Sequence, residues 1–172
     1  MIKIILLNAV EAGGKELQRF FNGEFKITNK EGINNPVTDA DHASEKAIID
    51  IIQKTYPDHF ILSEETGEII TDSEYKWIID PIDGTINFAN GIPICCVSIG
   101  LEKNGEMIMG AVYAPMLNEL YFAEKGQLEN GYFSNVSENL FADTTLSAKQ
   151  QRSAINNLEK LGEYFIINNI FI

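Results

Sequence analysis

The residues best suited to chemistry fall in the stretch Tyr75-Lys76-Trp77-Ile78-Ile79-Asp80-Pro81-Ile82-Asp83-Gly84-Thr85-Ile86-Asn87-Phe88. Trp77, Ile78 and Ile79 have the bulk that suits a covered, pleated strand. The run meets two carboxylates, Asp80 and Asp83, separated by Pro81 and Ile82. Pro81 fixes its own φ and biases Asp80 towards extended geometry, so the spacing predicts that the strand stops or turns there. Gly84 permits close backbone approach, and Thr85 sets a hydroxyl beside backbone N–H groups. A strand tip with two acids and a glycine turn suits joint binding of a hard cation and a phosphate. The same residues also read as a plain Asp-Pro and Asp-Gly turn.

A third acid comes from upstream. Phe60-Ile61-Leu62 reads as a buried strand running into Ser63-Glu64-Glu65. With Glu64 beside Asp80 and Asp83, carboxylates would meet at the ends of neighbouring strands. Oxygen donors without His or Cys favour magnesium over zinc or copper. Two such ions about 3.5–4 Å apart can hold the attacking and leaving oxygens of an in-line phosphoryl displacement. Thr85 is placed to orient the attacking water, and the N–H groups of Gly84 and Thr85 to receive phosphate oxygens at a helix start. Phosphoryl transfer is mostly positioning and charge stabilisation, so it requires no protein nucleophile. A dehalogenase-type pair of aspartates is excluded, because it needs one intervening residue and this chain has Pro81 and Ile82.

The elements that must position these groups are legible in outline. Ile2, Ile5, Leu6, Ala9 and Val10, then Leu17, Phe20 and Phe21, predict an amphipathic helix, weakened at Gly13-Gly14 and stopped near Gly23. Phe25 to Thr28 reads as a short strand and Asn29 to Pro36 as a polar loop. A second helix starts at Thr38, with Asp39 and Asp41 in its first turn. Good capping alone would account for both acids. Ala40, Ala43, Ala47, Ile48, Ile51 and Ile52 make its apolar face, and Pro57 ends it. Thr66 to Ser73 reads as an exposed loop. Ile94 to Glu102 and Met107 to Tyr113 flank Asn104-Gly105, a hairpin signal. A turn at Pro115 to Asn118 leads to a strand over Glu119 to Ala123, Asn130-Gly131 suggests a turn, and residues 148–167 carry helical periodicity. The class is α+β, with two helices packed on a mostly antiparallel sheet.

Bulk properties narrow the partners. The chain has 172 residues, formal net charge -12 and hydrophobic content of 45%. That size fits one core, and no basic stripe points to nucleic acid. The negative charge opposes a phosphorylated substrate unless a divalent cation intervenes. Cys95 and Cys96 are adjacent, with neither metal-site nor disulfide spacing. With no signal-peptide pattern and no membrane-length apolar run, the expected location is the cytoplasm, away from membranes. His42 and His59 read as structural or solvated, and the two cysteines as small buried groups.

Asp80-Pro81-Ile82-Asp83-Gly84-Thr85-Ile86-Asn87-Phe88, with Trp77-Ile78-Ile79 and Ser63-Glu64-Glu65 before it, closely resembles the inositol monophosphatase family. These are magnesium-dependent, typically lithium-sensitive phosphomonoesterases. Pro36-Val37-Thr38-Asp39-Ala40-Asp41, Val97-Ser98-Ile99-Gly100 and Gly110-Ala111-Val112-Tyr113 extend the similarity in the same order. The resemblance implies that Glu64, Asp80 and the carbonyl of Ile82 hold one Mg2+, with Asp80 and Asp83 holding a second. It implies that Glu64 and Thr85 prepare the attacking water and that Asp41 supports Thr85. Asp83, Gly84 and Thr85 then form the phosphate side, and Lys30 matches a loop lysine near the metals. It further implies the layered sugar-phosphatase fold, a small phosphorylated polyol or sugar as substrate, and commonly a homodimer.

The sequence departs from the family pattern beyond Gly126. The resemblance places an N-terminal α+β domain over residues 1–125 and a divergent or truncated tail over 126–172. The family's second half carries a Trp-Asp motif whose aspartate completes the second metal site, but Trp77 is the one tryptophan and Ile78 follows it. The expectation is a truncated or frameshifted chain with exposed apolar surface and weak or absent activity. Hydrolysis of inositol monophosphate leads the readings. An inactive fragment or partner subunit is one alternative, and fructose bisphosphate or histidinol phosphate as substrate is another.

Overall fold

The computed structural model describes residues 1–21, 23, 27–29, 36–125 and 131–134. Lys30, the loop at 30–35, most of the tail from 126 and the helical periodicity over 148–167 lie outside the described residues. In chain order the elements are α1 (Ile2–Phe20), β1 (Ile27–Asn29), β2 (Pro36–Thr38), α2 (Asp39–Thr55), β3 (Phe60–Ser63), β4 (Gly67–Ile69), β5 (Tyr75–Asp83), α3 (Thr85–Ala89), β6 (Cys96–Lys103), β7 (Glu106–Ala114), β8 (Glu119–Glu124) and β9 (Gly131–Ser134). Seven strands form one sheet in the order β4-β3-β5-β6-β7-β8-β9, while β1 and β2 pair separately. Within the seven, β3 and β5 run parallel and every other neighbouring pair is antiparallel. This is the α+β layering that the hydrophobic periods imply. No helix among the described residues is long and apolar enough to cross a membrane.

α1 packs along α2; α1 also lies against β6 and β7, and α2 against β5. The core joins Leu6, Val10 and Leu17 of α1 and Ile48 and Ile52 of α2 to Ile61, Trp77, Ile99, Leu101 and Phe122 of the sheet. α1 does not weaken at Gly13-Gly14: it is one unbroken helix, and both glycines are buried. They serve close approach. A Cβ on Gly13 would lie 2.8 Å from Ser44 Oγ, and one on Gly14 would lie 2.3 Å from Tyr113 Cδ1.

Two further sequence expectations change. Thr66 to Ser73 is not all loop, because β4 turns back to pair with β3, with Ser63 opposite Gly67. β5 does not stop at Asp80 but continues through Pro81 to Asp83. Asp80 pairs with Ser98 and Asp83 with Cys96, so β5 spans three steps where β6 spans two. Proline is tolerated inside a sheet at such a bulge, where no ladder N–H is needed. The Asn104-Gly105 turn is as expected for a hairpin, with φ of 52° and 79°. His59 is structural: it stacks between Tyr56 and Tyr75 and accepts at Nδ1 from Trp77 Nε1 at 3.0 Å. Burial lowers its pKa, against the opposing charges of Asp58 and Glu74.

Gly14→Ala tests the α1 packing. Helix propensity alone favours alanine by about 1 kcal/mol, whereas overpacking against a buried ring costs about 1–3 kcal/mol. With Tyr113 only 5% exposed, the ring has little room to retreat and the clash should win. Urea unfolding should show a net loss of about 1 kcal/mol, the middle of the difference between the two; an unchanged or raised midpoint would contradict this packing.

Candidate active site

The parallel pairing of β3 with β5 sets Ser63 opposite Ile79. The chain leaves β3 at Glu64 just where β5 reaches Asp80, so both acids stand at the same edge of the sheet. Asp80 lies where the bulge begins, and among the described residues its buried Oδ1 has no hydrogen-bond partner. Its pKa is pushed up to about 7, first by burial, then by the charges of Asp83, Glu64 and Glu65, while a hydrogen bond from the Ile82 backbone N–H acts the other way. Burial also raises Asp83, against a weak hydrogen bond from Cys96, whose Sγ lies 3.9 Å from Asp83 Oδ2. Burial is the first cause of both shifts, and at Asp80 the charges of neighbouring carboxylates add to it.

Gly84 follows at φ 91° and ψ 35° and caps the start of α3. A Cβ there would come within 3.0 Å of the Ile94 carbonyl, so both conformation and space require glycine. Thr85 Oγ1 donates to the Ile82 carbonyl at 3.0 Å, folding the threonine back over the bulge. Cys95 and Cys96 are buried. Burial and the nearby Asp83 raise both thiols well above their ordinary range, so they stay protonated at neutral pH.

α2 supplies the floor. Asp39 is exposed at its start, whereas Asp41 is only 2% exposed, so Asp41 is not a solvated cap. Asp41, Ser44 and Glu45 share a buried side of the helix with Ala40, Ile48 and Ile52, as spacings of three and four dictate. Ser44 Oγ donates to the Pro81 carbonyl at 3.0 Å. Glu45 Oε1 accepts from the backbone N–H groups of Glu65 and Thr66 at 3.0 Å and 2.9 Å. The sequence reading passed over Ser44 and Glu45. Their signal was two polar residues interrupting an apolar stripe at helical spacing from Asp41.

Glu64, Asp80 and Asp83 are thus neighbours in charge, yet among the described residues no group of three or more His, Cys, Asp or Glu side chains is disposed to hold a metal ion. The chemistry of the donors still fits a hard cation. Among the described residues Asp80 offers a buried oxygen with no hydrogen-bond partner, and the charges of Asp83, Glu64 and Glu65 act on its carboxyl.

A sequence profile of the inositol monophosphatase family matches residues 2–163. The Haemophilus influenzae protein named Nus factor SuhB is 42% identical over 128 residues, which cover 74% of this chain and 48% of that protein. An Aquifex aeolicus protein named fructose-1,6-bisphosphatase/inositol-1-monophosphatase is 46% identical over 120 residues, covering 69% and 45%. The crystal structure of the extragenic suppressor protein suhB from Bartonella henselae superposes with a TM-score of 0.72 at 36% identity, over 78% of this chain and 52% of that one. The chain spans about half the length of the curated relatives it matches.

The crowding at Asp80 has a pH signature in metal-free protein. A carboxyl raised on folding costs nothing below its unfolded value of 3.8. The cost grows as pH rises towards about 7 and is complete above it. Asp80→Asn should therefore stabilise the metal-free chain by on the order of 4 kcal/mol near pH 8, and by little near pH 4. Thermal unfolding at the two pH values checks this, and a gain that is larger in acid would refute the crowding.

Proposed function

The chain belongs to the inositol monophosphatase family, and from that membership we propose that it carries the catalytic acids of a magnesium-dependent phosphomonoesterase. The observation that carries the reading is the meeting of the β3 tip, at Glu64, with the bulge at Asp80. Glu64, Asp80, Asp83 and the Ile82 carbonyl are the proposed ligands. When bound, magnesium supplies charge neutralisation and a more acidic water at the phosphate. Thr85 directs its hydroxyl proton to the Ile82 carbonyl, which leaves its oxygen lone pairs to accept from the attacking water. Glu64, exposed just past the end of β3, is the proposed acceptor of that water's proton. Asp41 is proposed to support Thr85 from the start of α2. On the phosphate side stand Asp83 and the amides of Gly84 and Thr85.

The substrate class is a small phosphorylated polyol or sugar. Inositol monophosphate is the first compound to assay, and fructose 1,6-bisphosphate the second, since the Aquifex aeolicus relative is named for both activities. A non-catalytic partner subunit is the competing reading, favoured by the Nus factor name of the Haemophilus influenzae relative. Phosphate release combined with calorimetric Mg2+ titration separates the two. Turnover with Mg2+ uptake supports the enzyme, whereas uptake of neither ion nor substrate supports the partner.

Asp83→Asn should lower phosphate release by roughly a hundredfold or more while leaving the circular dichroism spectrum unchanged. Thr85→Ala should slow kcat by about a hundredfold with little change in the Mg2+ concentration for half-maximal rate. An Asp83→Asn protein as active as its parent would discard the assignment.

A further inference from the structure

Glu45 is a buried carboxylate, 4% exposed, outside the ligand set proposed above. Burying an acid is costly unless hydrogen bonds compensate it. Among the described residues its compensation comes from the turn after β3. Oε1 takes the N–H groups of Glu65 and Thr66, and Oε2 takes Thr66 Oγ1 at 2.5 Å. The turn does not need this to close, since β3 and β4 already pair from Ser63 and Gly67 outward, with Gly67 at φ 76°. Next to it on α2, Ser44 grips Pro81 within the bulge of β5. Consecutive residues of one rigid helix thus hold the two acidic tips, one each.

We propose that Glu45 is a positioning residue: it fixes the backbone of the 64–66 turn so that Glu64 is presented to the same cation as Asp80. This rests on the reading of those acids as cation ligands. A clamp of this kind sets metal affinity through geometry, as outer partners of ligands generally do.

The test separates geometry from charge. Glu45→Gln keeps the length and the Oε1 acceptor, and Thr66 Oγ1 can rotate to accept from the new amide. Glu45→Asp keeps the charge but falls one methylene short of the Glu65 and Thr66 N–H groups. Mn2+ alone, titrated into the full chain and followed by the electron paramagnetic resonance of the free ion, reads affinity without turnover. Glu45→Gln should bind within about twofold of the parent, and Glu45→Asp about tenfold or more weakly. Metal-free thermal unfolding should show both variants folded. The reverse order, with Asp near the parent and Gln weak, would mean that Glu45 acts by charge, and it overturns the inference. So does equal affinity in all three proteins. A parent that takes up no Mn2+ overturns instead the cation-site reading beneath it, and the inference falls with that reading.

Discussion

Because β3 and β5 run in the same direction, their C-terminal ends finish at one edge of the sheet, and whatever follows each strand is set side by side. An antiparallel neighbour would have carried Glu64 to the far end of β5. Parallel neighbours need a crossover connection, here made through β4 on the outer side of β3. The bulge at Pro81 then adds a residue to β5 without ending its pairing with β6, so Asp80 and Asp83 stay anchored to Ser98 and Cys96. Strand direction and one irregular step together concentrate negative charge in a place where water is scarce.

Such crowding opposes folding, and the surrounding structure shows how it is sustained. Asp80 reaches a pKa of about 7 because neighbours and burial act together. The anchors on α2 are neutral or inward-facing: Ser44 at Pro81 and Glu45 at the 65–66 backbone. Gly13 is what lets α1 settle over Ser44, since any side chain there would press on its hydroxyl. A glycine in the first helix thus bears indirectly on the loop between the acids. This layered support is what distinguishes the arrangement from an ordinary Asp-Pro turn.

Much of the fold was legible because hydrophobic period and turn chemistry agree. The α1 stripe, the presence of α2 as a helix, the Asn104-Gly105 hairpin and the strands flanking it follow from residue spacing alone. What was not legible was tertiary in origin. Gly13-Gly14 looks like a weakness to a propensity scale and is a contact point in the packed molecule. Pro81 looks like a strand terminator, yet a bulge removes the missing N–H from the ladder. β4 is short and polar, with nothing in Gly67, Glu68 and Ile69 to announce a strand before β3 is there to pair with it. At the candidate site, the acids were visible as a list, but their common edge depends on strand direction, which no local pattern encodes. The buried face of α2 is also turned from the one drawn from its alanines, which is why Glu45 went unnoticed.

Trp77, the chain's single indole, is fully buried and held by His59 on the same strand as the acids. Asp80 lies three positions further along β5, roughly 10 Å along a strand. Excitation transfer falls off steeply over such lengths, so a luminescent lanthanide seated at the acidic edge would draw light from this one donor. The molecule carries its own optical ruler, pointed at the place where its chemistry would occur.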